Sequence, residues 1–467
     1  MPPLRISNDE FRTLSDRVGR LAADFLAGLD ERPTMSATSA ADTAVFDQPL
    51  PDDGLGDAIL CDLEAIAKHV RAPSGRRLSY VVGSGELIAA LGDFYASVLN
   101  QNVTAWRSAP AAVAIERNVV EGLARAIGCQ GFIGTFTSGG SVGNLMALAM
   151  ARESRAAANE HGAHGGVVYA SDEVHMSIPK AMAMLGLGRE NLRLIRVDQN
   201  MRIEVPVLEA AIARDREAGL RGIALVASAG TIMSGAVDPL AALADVARRH
   251  DLWFHVDGAY GAAAALAEPE KFVGMAEADS VSFDAHKWLY QPLDCSVLFY
   301  RDADVARETF AYSAEYVKTT GEDPIEGFAF FDQTIELSRR FRALKLWLSL
   351  RYHGLAAFRA AVAENLAQAR LLAELIGAEA SLELLAPVEL STVCFRWAAA
   401  DAEMLNDRNE EILREVNREG RVWLSNASVR GALGLRACVT NHRTTEQDMR
   451  TVVEDVLAAA DRVAATA

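Results

Sequence analysis

Between about residue 110 and residue 302 the chain alternates between two periodicities, and this alternation constrains the fold more than any other feature. Stretches with apolar residues at helical spacing, at 112–127, 141–154, 206–218 and 238–250, are interleaved with short β-branched or aromatic runs. Those runs are GVVYAS (166–171), LRLIRVD (192–198), GIALVASAG (222–230), LWFHVDG (252–258), SVSFDAHK (280–287) and SVLFYRD (296–302). Their apolar character is nearly continuous rather than alternating, which is the pattern of strands covered on both faces. Strands separated by helices need crossover connections, so the region predicts a mostly parallel sheet between helical layers, an α/β class.

The flanks read differently. Residues 8–29 place Phe11, Leu14, Val18, Leu21, Phe25 and Leu26 at helical spacing, with Asn8 or Asp9 as the N-cap, and the stretch from Pro33 to Pro51 reads as an extended linker. Residues 335–375 read as one long helical stretch. Beyond it, short strands at 391–397 and 435–440 mix with amphipathic helices at 403–418 and 445–462. The expected partition is a helical and extended segment at 1–60 that serves dimerisation, a large domain at 61–350 and a small α+β domain at 351–467.

Composition removes several classes of function. Lys plus Arg number 46 against 63 Asp plus Glu, a net charge of −17 with no basic run, which disfavours a nucleic-acid surface. No apolar run approaches the roughly 18–20 residues of a membrane span, and the first residues carry charges where a signal peptide needs an apolar stretch. The cysteines Cys61, Cys129, Cys295, Cys394 and Cys438 are odd in number and form no C-x-x-C pair, as expected of reduced thiols. A cytoplasmic location, with no membrane, nucleic-acid or metal partner, is the expectation.

In an open parallel sheet, ligands bind outside the carboxyl ends of the strands, and four groups fall there. The turn Gly139-Gly140-Ser141 opens an apolar helix, where bare backbone N–H groups and the positive end of the helix dipole suit a phosphate, although a glycine turn before a helix is also ordinary punctuation. Asp257 ends an apolar strand, either as a partnered buried carboxylate or as the cap of a following helix. Lys287 ends another, where a lysine has little structural purpose. His175 follows the run at 166–171 and is either a local hydrogen-bonder or a catalytic group. A lysine amine, an acid for a ring nitrogen and a phosphate cup are together what pyridoxal 5′-phosphate requires. The 30 residues from Asp257 to Lys287 (287 − 257) leave room for a crossover and the next strand.

HVDGAYG (255–261), SFDAHKW (282–288) and SRRFRALKLW (338–347) resemble the group II pyridoxal-phosphate amino-acid decarboxylases, which include aromatic, glutamate and diaminobutyrate decarboxylases. The resemblance covers about residues 60 to 455. It implies the fold-type I architecture and a homodimer with active sites at the subunit interface. By position, Lys287 resembles the Schiff-base lysine, Asp257 the partner of the pyridine nitrogen, Ala259 the small residue under the ring and His175 the imidazole stacked over it. Gly140 and Ser141, with Gly139 in the same turn, resemble the phosphate cup, to which His286 adds a contact, and Thr231 resembles a threonine that orients cofactor and histidine. Asn144 reads as solvated or helix-packing. The implied reaction is loss of CO2 from an L-amino acid, with the electrons left on Cα passing into the protonated ring.

Three departures concern substrate and product. A loop at 312–334 is expected to supply the tyrosine that reprotonates Cα in aromatic decarboxylases, and counting back from SRRFRALK puts that position on Phe330, with Tyr312, Tyr316 or a histidine as substitutes. Loss of the tyrosine in relatives of this family diverts the reaction with O2 to an aldehyde, ammonia and peroxide, so an aldehyde product is the alternative. Tyr80, in SYVVGSG, belongs to a segment that is aromatic- and proline-bearing in aromatic decarboxylases. Asn102 and Thr104 either line the pocket or cap a helix, and Arg436 resembles the arginine that holds the distal carboxylate in glutamate decarboxylases, a position where aromatic enzymes also carry an arginine. A non-catalytic cofactor-binding scaffold would require part of this constellation to be missing.

Overall fold

The structure, a computed structural model, describes residues 4–36, 38–163, 165–312, 325–399 and 401–465. The alternating region forms a seven-stranded sheet of β1 (Ile133–Thr137), β2 (Val167–Ser171), β3 (Leu192–Ile195), β4 (Gly222–Ser228), β5 (Trp253–Asp257), β6 (Ser280–Asp284) and β7 (Ser296–Tyr300). The spatial order is β1-β7-β6-β5-β4-β2-β3. The run β3, β2, β4, β5 and β6 is parallel, and β7 is antiparallel to both β6 and β1. β1 (IGTFT) escapes notice in the sequence because a glycine and two threonines dilute its apolar character.

Successive side chains of a strand point to opposite faces, and the packing follows this rule. Val168, Ala170, Ala224, Val226, Trp253, Leu298 and Tyr300 pack against Met146, Leu148 and Met150 of the helix Gly140–Ala156. Their neighbours Tyr169, Leu225, Phe254, Val256 and Phe299 share a core with the helices Pro110–Ala126, Val205–Glu217 and Leu240–His250 on the other face. Coverage of both faces explains the absence of polar alternation in these strands.

A second sheet holds β8 (Leu382–Leu384), β9 (Thr392–Trp397), β10 (Ser425–Val429) and β11 (Ala432–Cys438), all antiparallel, in the order β10-β11-β9-β8. Arg430 and Gly431 between β10 and β11 both have positive φ, 50° and 82°, as a tight two-residue hairpin turn requires. The helices Leu405–Glu419 and Glu446–Ala465 cover this sheet with Ile412, Val416, Met449, Val452 and Val456.

Several expectations are corrected. The stretch 335–375 is not one helix: Ala343–His353 ends at Gly354, whose φ of 78° interrupts the helix before Leu355–Ala378 begins. That second helix gives Phe358, Val362 and Leu366 to the large core and Ala369, Leu372 and Ile376 to the small one, so both cores share an element just beyond residue 350. The helix Asn8–Ala27 is capped by Ser7, and the linker contains a helical turn, Ala40–Thr43, with a Ser39–Asp42 capping box. Among the described residues no helix is long and apolar enough to cross a membrane.

One buried ion pair ties the sheet edge to the helical layer. Arg339 and Glu116 have fully buried side chains in contact, and Arg339 also donates to the Val103 carbonyl at 2.7 Å and to Thr135 Oγ1 at 2.7 Å. Removing one member of such a pair leaves the other charged and buried, at a cost of about 3–5 kcal/mol. Arg339→Leu should therefore lower the melting temperature by several degrees, and an unchanged melting curve would contradict this account of the pair.

Candidate active site

The carboxyl ends of β4, β5 and β6 and the turn after β1 open into one cavity of about 420 Å³, within the size range of cofactor pockets. It is lined by all nine residues expected to hold a cofactor: Gly139, Gly140, Ser141, His175, Thr231, Asp257, Ala259, His286 and Lys287.

Asp257 is the last residue of β5 and is buried. Its Oδ1 accepts from Ser282 Oγ at 2.9 Å and from the Ala259 amide at 3.2 Å, and its Oδ2 accepts from Asn144 Nδ2 at 2.8 Å. Burial alone would raise this carboxyl, but His255, Lys287, His175 and the Asn144 amide outweigh it and hold it below the usual carboxylate range. Lys287 lies in the short helix Ala285–Trp288 after β6, with Nζ 3.0 Å from Asp284 Oδ2. The other Asp284 oxygen, Oδ1, is buried with no hydrogen-bond partner among the described residues.

The phosphate-cup candidate is the N-terminus of the helix Gly140–Ala156, which no side chain caps. A Cβ on Gly140 would stand 2.9 Å from Ala259 Cβ and 3.0 Å from Asp284 Oδ2, so glycine is what lets helix, strand end and lysine segment converge. Gly83 serves a similar purpose: its amide donates to the His286 carbonyl at 2.9 Å, and a Cβ there would lie 2.4 Å from the Lys287 carbonyl oxygen.

His175 Nδ1 lies 2.8 Å from Ser177 Oγ, and burial lowers its pKa. Burial also lowers His286, whose Nδ1 lies 3.2 Å from Ser296 Oγ. The Thr231 hydroxyl meets Ser234 Oγ at 2.9 Å within its own turn, while the side-chain partner of His175 is Ser177.

The expected substrate residues fall elsewhere, and none of the five lines the cavity. Phe330 is corrected outright: it is fully buried, with its ring 4.2 Å from the Arg339 guanidinium carbon and its amide bonded to the Thr104 carbonyl. Asn102 Oδ1 accepts from the Arg339 amide at 2.8 Å, a structural role, and the Thr104 hydroxyl is buried without a partner among the described residues. Tyr80 points outward against Trp423, with ring centroids 5.5 Å apart, and its neighbour Val81 faces the cavity instead. Arg436 spends donors on Ser425 Oγ and on the carbonyls of Ile232 and Ser79. Tyr312 is exposed, and Tyr316 lies outside the described residues.

Sequence reasoning missed Asp284, Ser177, Ser282 and His255, and it misjudged Asn144, which is buried and hydrogen-bonded to Asp257 rather than solvated. A signal for Asn144 was available. It stands within VGNLMALAMA, a helical stretch apolar on nearly every side, and such a helix is buried all round. A polar residue inside it needs a partner.

An amine, a buried carboxylate and an uncapped helix N-terminus meeting at the carboxyl edge of this sheet define a pyridoxal-phosphate enzyme of fold type I. The comparisons narrow the class. The model of the pyridoxal-dependent decarboxylase conserved domain matches residues 42–398, and the chain belongs to that family of carboxy-lyases. It is 33% identical to the aromatic-L-amino-acid decarboxylase of Bacillus atrophaeus over 98% of this chain and 97% of that one. It is 29% identical to the phenylacetaldehyde synthase of Arabidopsis thaliana over 92% and 93% of the two chains. The crystal structure of Oryza sativa TDC with PLP and tryptamine superposes with a TM-score of 0.92 at 26% identity, covering 99% of each chain. The cofactor is pyridoxal phosphate.

His255, beside Asp257, supplies a test of the site's electrostatics. Burial pulls its pKa down to about 4 against the attraction of Asp257, whereas an unfolded histidine titrates near ~6.5. The unfolded chain therefore gains a proton that the folded protein refuses. Stability is complete above about 6.5 and falls by roughly 3 kcal/mol from this group as the pH drops to about 4. Burial also pulls His442 down to about 4, which acts in the same direction. The melting temperature should drop between pH 7.5 and pH 5, and His255→Gln should make that drop smaller; an equal drop in both proteins would remove His255 as its source.

Proposed function

We propose that this chain decarboxylates an aromatic L-amino acid to the corresponding amine. One observation carries the reading: Lys287 Nζ, the Asp257 carboxylate and the Gly139-Gly140-Ser141 helix entry face the same cavity. Pyridoxal phosphate, when bound, supplies an electron sink for the pair released as CO2 departs. The residues bind and orient. Lys287, whose amine opens onto the cavity, would hold the cofactor. Asp257, ionised and desolvated, keeps a proton on the ring nitrogen. Gly139, Gly140 and Ser141, with His286, receive the phosphate, while Ala259 and His175 enclose the ring and Thr231 closes the wall beside them.

Two features favour an aromatic side chain. The rest of the lining includes Val81, Ile232 and Leu293, all apolar. Arg436, the candidate for a second carboxylate, is turned toward the Ile232 and Ser79 carbonyls. The Bacillus relative named above acts on aromatic L-amino acids, as its name states. The ground for an aldehyde product was Phe330, which is buried against Arg339 and does not line the cavity, so it lends that alternative no support.

We also propose a homodimer. Exposed apolar side chains lie on three helices, the first of which contacts each of the other two: Phe11 and Val18 on Asn8–Ala27, Leu63 and Ile66 on Ile59–His69, and Leu91, Phe94, Tyr95 and Val98 on Leu87–Leu99. A patch of this kind needs a partner surface. Sedimentation equilibrium should give twice the chain mass.

The loaded protein, incubated in air with aromatic L-amino acids, should yield amine without peroxide by mass spectrometry and peroxide assay. Lys287→Ala should abolish turnover. Phe330→Tyr should leave the ratio of amine to aldehyde unchanged, and a shift toward amine would restore Phe330 to the reaction.

A further inference from the structure

We infer that Asn144 is a positioning residue: anchored on Asp257, its carboxamide acts through Ser177 to set the tautomer of His175, with the ring proton on Nε2. The inference rests on the reading that His175 faces the reacting cofactor.

The assignment follows from counting donors and acceptors. The Asp257 carboxylate only accepts, so Asn144 must turn its Nδ2 toward it, at 2.8 Å. The same Nδ2 donates its second hydrogen to Ser177 Oγ, also at 2.8 Å. Asn144 Oδ1 is left to accept from His255 Nε2 at 3.0 Å, and His255 Nδ1 accepts in turn from Ser280 Oγ at 2.9 Å. Ser280 Oγ also accepts from the Trp253 indole N–H at 2.9 Å, which leaves its own O–H to donate. On the other branch, Ser177 Oγ accepts an N–H from Asn144 and has its own O–H to donate to His175 Nδ1, 2.8 Å away. The Ser177 backbone N–H points at the same Nδ1, at 3.3 Å. Two donors converge on Nδ1, which is therefore an acceptor.

Adding a proton to His175 would set an N–H against the Ser177 hydroxyl proton. The hydroxyl would have to turn away while still holding the Asn144 N–H. The charged groups facing His175 are Asp257 from β5, Asp284 and Lys287 from the end of β6, and Lys180 from the helix Ser177–Met184. Two are anionic and two cationic, so their effects oppose one another, and the polarity of the hydrogen-bond chain adds a constraint that charge alone does not supply. Asn144 is 1% exposed, which rules out a solvated role.

The test is a double-mutant cycle on the pyridoxal-phosphate-loaded protein, with the amino acid it turns over. Asn144→Leu and Ser177→Ala each remove control of Nδ1, so the ring takes its proton more readily. The acid limb of the kcat/KM profile should move to higher pH by about half to one unit, the three- to tenfold change of one lost hydrogen bond. In the Ser177→Ala background, Asn144→Leu should move that limb no further; additive shifts would overturn the inference. A second readout needs no turnover. Nitrogen-15 spectra of histidine-labelled protein, with His175→Gln for assignment, should show Nδ1 bare and Nε2 protonated in the wild type. The opposite tautomer would overturn the proposal even if Asn144→Leu fails to fold. A wild type without decarboxylase activity would instead count against the proposed function and leave the spectrum to decide the tautomer.

Discussion

The organisation of this protein turns on a single buried anion. An ionised carboxylate taken out of water costs several kcal/mol unless hydrogen bonds and opposite charge compensate it. Asp257 receives that compensation from three separate elements: Ser282 on β6, the backbone amide of Ala259 just past β5, and Asn144 on the helix Gly140–Ala156. The first depends on strand register, because Asp257 stands opposite Ser282 in the β5–β6 pairing. A slip of one residue would turn the serine to the other face and leave the carboxylate short of a donor. The third depends on how the helix seats against the sheet. The polar site and the apolar packing therefore specify the same arrangement.

Close approach of backbones is the second requirement, and glycine meets it. The helix entry at Gly140, the strand ends and the lysine segment come together at distances that any side chain on Gly140 would prevent, and Gly83 brings the loop at 79–85 against the Lys287 carbonyl in the same way. The backbone of the Lys287 segment is thus held by the backbone around Gly83. Such a clamp restricts where the lysine amine can reach without filling the cavity.

These constraints were unequally legible. HVDGAYG and SFDAHKW announced the carboxylate and the amine, because an ionisable residue at the end of an apolar strand is anomalous in itself. The sheet was legible for the same reason: burial on both faces leaves continuous apolar runs. Asn144 was not read, since a polar residue on a helix is usually solvated and only the apolar character of every neighbouring position argued otherwise. Phe330 was misplaced by counting along a loop, where length carries no structural meaning; its actual place follows from Thr104 and Arg339, contacts distant in sequence. The break at Gly354 was hidden inside a stretch rich in alanine and leucine, where helical propensity outweighed a single glycine.

The charges of the cavity form an incomplete set. His175 and His286 line the cavity, and burial pushes both toward the neutral form. The remaining charged groups that line it are two carboxylates, Asp257 and Asp284, and one ammonium, Lys287, which is engaged by Asp284 at 3.0 Å. Among the described residues Asp257 makes no direct ion pair; His255, Lys287 and His175, acting through space, and the Asn144 amide hold it in its anionic form. A ligand presenting a protonated ring nitrogen would complete the pairing, and a neutral ring would not. The pull of Asp257 toward a cation is therefore already built into the protein.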